Sequence, residues 1–169
     1  LLDSAQVMTC NNDGCNSPVD GNNLGGQLGT TIGELAKAGR DKLTFVLSPK
    51  IKPFGDWVEQ LIAESTGKEG KGILPVVGEP VGKPEVYGND RVFVYIKLAD
   101  DSTYDESVGK LEKAGHPIIR LFIDNLYDLG GQFFLWEMAT AVAGARLGIN
   151  PFDQPDVEGL RAGVGDSDG

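Results

Sequence analysis

Imidazole and thiol are scarce in this chain, which has one histidine and two cysteines among 169 residues. Cys10 and Cys15 stand in an Asn- and Gly-rich stretch, and His116 lies far from both. Two thiols without further ligands do not make a zinc site, so no metal is expected and the pair reads as ordinary thiols. Long apolar runs are missing too. The longest, residues 118–123, is interrupted by Arg120 and is far too short to cross a bilayer. No membrane partner is therefore expected. Basic residues are outnumbered, 15 against 25 acidic, for a formal charge of -10. That balance repels phosphate backbones and argues against nucleic acid, although local donors can still hold a small phosphorylated substrate. The chain begins at Leu1, without Met and without a basic region leading into an apolar stretch. These features argue against a signal peptide and for a segment of a larger polypeptide, expected in the cytoplasm.

What is present is a 40% hydrophobic chain long enough for one substantial core. Residues 1–23 are rich in Asn, Gly and Asp with no sustained period, and are expected to be mostly loop. From Leu24, the spacing of Leu28, Ile32 and Leu35 predicts a helix stopped at Gly39. Residues 43–47 then predict a buried strand closed by Ser48 and Pro49. Phe54, Trp57, Val58, Leu61 and Ile62 form an amphipathic helical stripe ending at Gly67. Strands are expected at 73–77, 92–98 and 118–123, with a short helix over 105–114. A long final helix, capped by Asp128, should end near Gly148. Short apolar strands alternating with helices imply a doubly wound α/β domain, a mostly parallel sheet covered on both faces. In such sheets ligands bind beyond the carboxyl ends of the strands, which directs attention to the loops after Leu47, Val77, Leu98 and Ile123.

One carboxylate has a suggestive position. With Trp57 at zero and about 100° per residue, the apolar stripe spans roughly 0° to 140°, with Gln60 near 300° and Glu64 near 340°. Glu64 is thus expected half-buried at the stripe's edge. Such burial disfavours the charged form and moves a carboxyl toward the range useful for proton abstraction. Gln60, one turn earlier, could orient it or a ligand. The plainer alternative is a solvated helix-flank charge. Residues 64–72 lack the Gly-x-x-x-x-Gly-Lys-Ser/Thr spacing of a nucleotide loop, and no cofactor is expected. Trp136, Phe133 and Phe134 read as core rather than as a carbohydrate platform.

The run Gln60-Leu61-Ile62-Ala63-Glu64-Ser65-Thr66-Gly67-Lys68, followed by Gly70-Lys71-Gly72, resembles the glucose-6-phosphate isomerase segment that carries the general base. In that family a Gln precedes the catalytic Glu by four residues, and Ser-x-Gly-Lys follows it. Ile149-Asn150-Pro151-Phe152-Asp153-Gln154-Pro155 is similar to the family's late Asn-x-Phe-Asp-Gln signature. Gly39-Arg40-Asp41-Lys42 is a third point of likeness, and the resemblance covers residues 24–161, leaving 162–169 as a flexible tail. Several phrases look closest to the isomerase half of fused transaldolase and glucose-6-phosphate isomerase proteins.

The resemblance implies a sugar-isomerase-type (SIS) three-layer domain from the C-terminal half of an enzyme that interconverts glucose 6-phosphate and fructose 6-phosphate. A proton moves between C2 and C1 through a cis-enediolate. By resemblance Glu64 is the base, and Gln60 and Gln154 contact the substrate. Arg161 stands where the family has a catalytic Lys; it keeps the positive charge but does not release a proton at ordinary pH. His116 lacks the Gly-rich surroundings of the family's ring-opening His and reads as a surface or packing residue. The implied partners are a sugar phosphate and a preceding N-terminal subdomain that binds the phosphate, and a homodimer stays open. A noncatalytic sugar-phosphate-binding module is the alternative, and a structural interaction domain is a third reading.

Overall fold

The computed structural model of the chain describes residues 1–13, 23–68 and 70–152. Its elements are α1 (Leu2–Asp13), α2 (Leu24–Lys37), β1 (Lys42–Leu47), α3 (Lys52–Thr66), β2 (Leu74–Val76), β3 (Arg91–Leu98), α4 (Asp105–Lys113), β4 (Ile118–Ile123) and α5 (Leu129–Leu147). The four strands form one sheet in the order β2-β1-β3-β4, and every pairing is parallel. The long central strands β1 and β3 are buried almost throughout, the continuous apolar pattern that a sheet covered on both faces demands.

Alternation along the strands divides the core in two. Leu43, Phe45 and Leu47 of β1 and Val92, Val94, Ile96 and Leu98 of β3 face a cluster completed by Leu28, Ile32, Val58, Ile62, Leu135, Trp136, Ala139 and Ala143 from α2, α3 and α5. Val46, Phe93 and Tyr95 point to the other face, where Val108 and Leu111 of α4 cover them together with Val81 and Tyr87 of the β2–β3 connection. Helices on both faces make this a three-layer, doubly wound α/β fold. Trp136 is fully buried and meets Phe45 edge-on at 5.1 Å. Phe133 packs edge-on against Phe54 and Trp57, so these rings complete the packing of α3 on α5.

Two expectations need correction. Residues 2–13, read as loop, form helix α1. This helix has no apolar stripe that periodicity could detect; it docks on α5 through Met8, which packs against the core beside Gly131, and through close main-chain approach just ahead of its first turn, where a Cβ on Gly130 would sit 2.0 Å from the carbonyl oxygen of Leu1. Asp128 precedes α5 as expected but does not cap it with its side chain. Its carboxylate accepts instead from the Asn125 amide and the Ser4 hydroxyl, both at 3.1 Å, which closes a 3-10 turn over Leu126–Asp128 and ties α1 to it. Gly148 ends α5 in the left-handed region at φ 71°, the conformation that favours glycine at this position.

Candidate functional site

The parallel β1 and β2 are joined by α3, so that helix must run back against the strands and finish where β2 begins. Thr66, fully buried, fixes this return: its hydroxyl donates to the Ile62 carbonyl at 2.8 Å and accepts from the Ile73 amide at 3.0 Å. Gln60 and Glu64 therefore lie toward the amino edge of the sheet, not in the carboxyl-end loops to which the general α/β rule pointed. The carboxyl edge holds a separate cleft of about 450 Å³ lined by residues that include Leu47, Lys52, Asp56, Val77, Glu79 and Tyr104. Neither Gln60 nor Glu64 lines it.

Glu64 is exposed rather than half-buried. The reason lies in where the helix is pressed onto the core. The buried line is Phe54, Val58 and Ile62, with Thr66 below, while Trp57 and Leu61 are a partly buried flank. Glu64 lies beyond that flank, about 120° from Val58. The Gln60 amide donates to one Glu64 oxygen, Nε2 to Oε1 at 3.0 Å, so the pairing of these two side chains is present. Its spacing is the ordinary i, i+4 contact of a helix surface.

Past Thr66 the chain makes a tight turn. Gly67 closes α3 by donating its amide to Ala63, and the main chains of Lys68 and Lys71 bond to each other in both directions, at 3.2 and 2.9 Å. From this turn the Lys68 ammonium reaches across 82 positions in the sequence to donate to the Asn150 carbonyl at 2.8 Å. The receiving segment is itself well braced. Ile149 is buried and its amide donates to Gly144, Pro151 lies over Gly144, and the Asn150 side chain accepts from the Phe152 amide at 3.1 Å. The two stretches that carry the family likeness, 60–72 and 149–155, thus meet in space at least as far as Phe152. Gln154 and Arg161 lie outside the described residues.

His116 belongs elsewhere. Its Nε2 sits 3.1 Å from the Pro84 carbonyl, and its ring packs edge-on against Phe93 and Tyr87 in the α4-side core. None of these contacts involves Gln60 or Glu64. Sequence reasoning missed the structural importance of Thr66 and Lys68. Both stand inside the quoted run, but the partners that reveal their roles lie across a turn or at the far end of the chain.

No protein-family model matches the chain. Among curated proteins it is 31% identical to a probable glucose-6-phosphate isomerase of Methanococcus maripaludis, over 70% of this chain and 35% of that protein. It is 29% identical to the glucose-6-phosphate isomerase of Heliobacterium modesticaldum, over 75% of this chain and 37% of that one. The chain is similar to one segment of glucose-6-phosphate isomerases. It spans about a third of the length of these relatives, 35% and 37%. Among solved structures, a hypothetical protein of Thermus thermophilus superimposes with a TM-score of 0.73 at 17% identity, over 96% of this chain and 49% of that one. That likeness supports the α/β fold. No helix among the described residues is long and apolar enough to cross a membrane.

Proposed function

We propose that this chain supplies the base-bearing part of a glucose-6-phosphate isomerase, with Glu64 moving the proton between C2 and C1 of the open-chain sugar. The observation that supports this reading is the meeting of the two segments that carry the family likeness, through the hydrogen bond from Lys68 to Asn150. The curated relatives supply the reaction class.

In this reading Gln60 occupies Oε1 of Glu64 and leaves Oε2 to take the C2 proton of glucose 6-phosphate and return it at C1. The carboxylate begins and ends unprotonated, so one group serves both halves of the transfer. Gln154 is the proposed contact to the substrate oxygens, and Arg161 would hold developing negative charge without exchanging a proton. Glu64 is exposed on this chain, and proton abstraction from a sugar carbon is best served in a site that excludes water, so the chemistry requires a cover over it. The proposed source of that cover, and of the phosphate site, is a preceding subdomain of the same polypeptide.

A noncatalytic sugar-phosphate-binding module is the second reading, favoured by the exposure of Glu64 on this chain. Steady-state kinetics separate the two. In the full-length polypeptide, Glu64→Gln should lower kcat for isomerisation by about 10² to 10⁴, the usual worth of a general base, while sugar-phosphate affinity stays within a few-fold. Unchanged turnover in that variant removes Glu64 from the mechanism.

A further inference from the structure

We infer that the hollow between β4 and the helices α1, α2 and α5 is a binding site for an uncharged, largely apolar small molecule that carries one hydrogen-bond donor, such as an indole or a phenol, with the Gln132 amide as its polar anchor. Glu64 does not line this hollow, so the site stands whether or not the isomerase reading holds.

The hollow follows from the order of the sheet. β4 is an edge strand, and its Ile119 and Leu121, which face the main core, stay only partly buried. Together with Leu24 and Leu28 of α2, Leu135 of α5 and Met8 of α1 they wall a cavity of about 520 Å³. That size falls within the range of small-molecule sites. Helix α2 does not settle deeper to fill it, because Gly29 already brings the main chain against α5: an added Cβ would lie 2.3 Å from the Ala139 carbonyl oxygen. The cavity is therefore formed before any ligand arrives.

The lining selects the chemistry. Arg120 is the charged residue in it, but its side chain belongs to the opposite face of the sheet, in register with Tyr95 of the α4-side core, where it donates to Glu112 at 2.6 Å. A sugar phosphate thus finds no counter-charge here, and desolvating its own charge is costly. Gln132 is the polar group that matters. It is 5% exposed, lines the cavity, and has an amide oxygen with no hydrogen-bond partner among the described residues. The other side chains with such an unmatched atom, Asp101, Trp136 and Thr140, do not line this cavity. An unpaired buried amide destabilises a fold, and a leucine would fill the same space without that penalty. The two ends of a glutamine amide have nearly the same shape, so a half-turn presents either one to a ligand. An N–H or O–H on an apolar ring satisfies the oxygen while the ring takes the aliphatic walls out of water.

The test titrates this chain with indole and with benzofuran, which has the same shape without the N–H, and follows the methyl resonances of Leu28, Ile119 and Leu135. Indole should shift these methyls and bind at least about fivefold more tightly than benzofuran, the worth of one buried hydrogen bond. Gln132→Leu should cancel that preference and melt no lower than wild type. Thr31→Trp, on an exposed position of α2 that lines the cavity, should block both compounds with an unchanged Tm. Methyls that do not move with indole, or that still move in Thr31→Trp, overturn the site. Equal affinity for the two compounds in wild type overturns the anchor. A lower Tm in Gln132→Leu shows that the amide serves the fold and overturns its role toward a ligand. Indole binding that disappears in the full-length polypeptide overturns the proposal in favour of a seat for another part of that polypeptide.

Discussion

The packing of α2 on α5 can be tested with a single carbon. Gly29 sits where the two helices approach so closely that a Cβ would lie 2.3 Å from the Ala139 carbonyl oxygen and 2.7 Å from the Val142 Cβ. The obstacle at 2.3 Å is main chain, which cannot rotate aside, so the helices must part by about 1 Å to restore ordinary contact. That opens the seam in which Leu28 and Ile32 meet Leu135, Ala139 and Ala143. Overpacking of this kind costs about 1–3 kcal/mol, against roughly 1 kcal/mol regained when alanine replaces glycine in a helix. With a rigid obstacle the upper end applies, leaving Gly29→Ala destabilised by about 2 kcal/mol, or a Tm lowered by about 4–8 °C in a chain of this size. Gly109 in α4 is the control, because nothing lies within 4 Å of its absent Cβ. Gly109→Ala should gain the full propensity term of about 1 kcal/mol. Urea denaturation of both variants beside wild type reads the difference directly. If Gly29→Ala is as stable as Gly109→Ala, the close approach of α2 and α5 is not a feature of the folded protein.

Thr66→Val keeps the shape of the side chain but leaves the Ile73 amide without the hydroxyl that accepts from it in a fully buried site; a loss of about 1–3 kcal/mol is expected in denaturant titration, and a loss below about 0.3 kcal/mol would refute the role given to it. Asp105 accepts from Lys97 at 2.6 Å and from the Tyr95 hydroxyl at 2.9 Å, and the Lys97 ammonium first, then the phenol, holds its carboxyl below the usual range. A carboxyl whose folded value is depressed stabilises above its unfolded value of about 3.9 and loses that contribution as pH falls through the folded value. Asp105→Asn should therefore be less stable than wild type at pH 7, with the gap closing toward pH 2; a gap that widens on acidification contradicts the assignment.

Much of the architecture is legible in the residues because local signals and tertiary burial agree. The stripe from Phe54 to Ile62 buries the face its spacing marks, and Gly67 and Gly148 stop their helices where expected. The strands β1 and β3 read as continuous apolar runs because both of their faces are covered. Helix α1 is not legible, since Met8 and main-chain proximity at Gly130 dock it rather than an apolar stripe. The exposure of Glu64 escapes a reading of the stripe because the stripe's angular limits are wider than the burial limits, the partly buried Trp57 and Leu61 being its outer flank. The amino-edge position of Glu64 follows from parallel connectivity alone and needs only that the direction of α3 be traced. The contact of Lys68 with Asn150 joins residues 82 apart and leaves no local trace.

Hydrogen exchange at carbon tests the central claim most directly. Glucose 6-phosphate is incubated in deuterated water with the full-length polypeptide, and label at C2 is followed by proton magnetic resonance. Deuterium should enter C2 with the wild-type protein and at least about 10² more slowly with Glu64→Gln. Equal labelling by the two proteins would contradict Glu64 as the group that carries the proton.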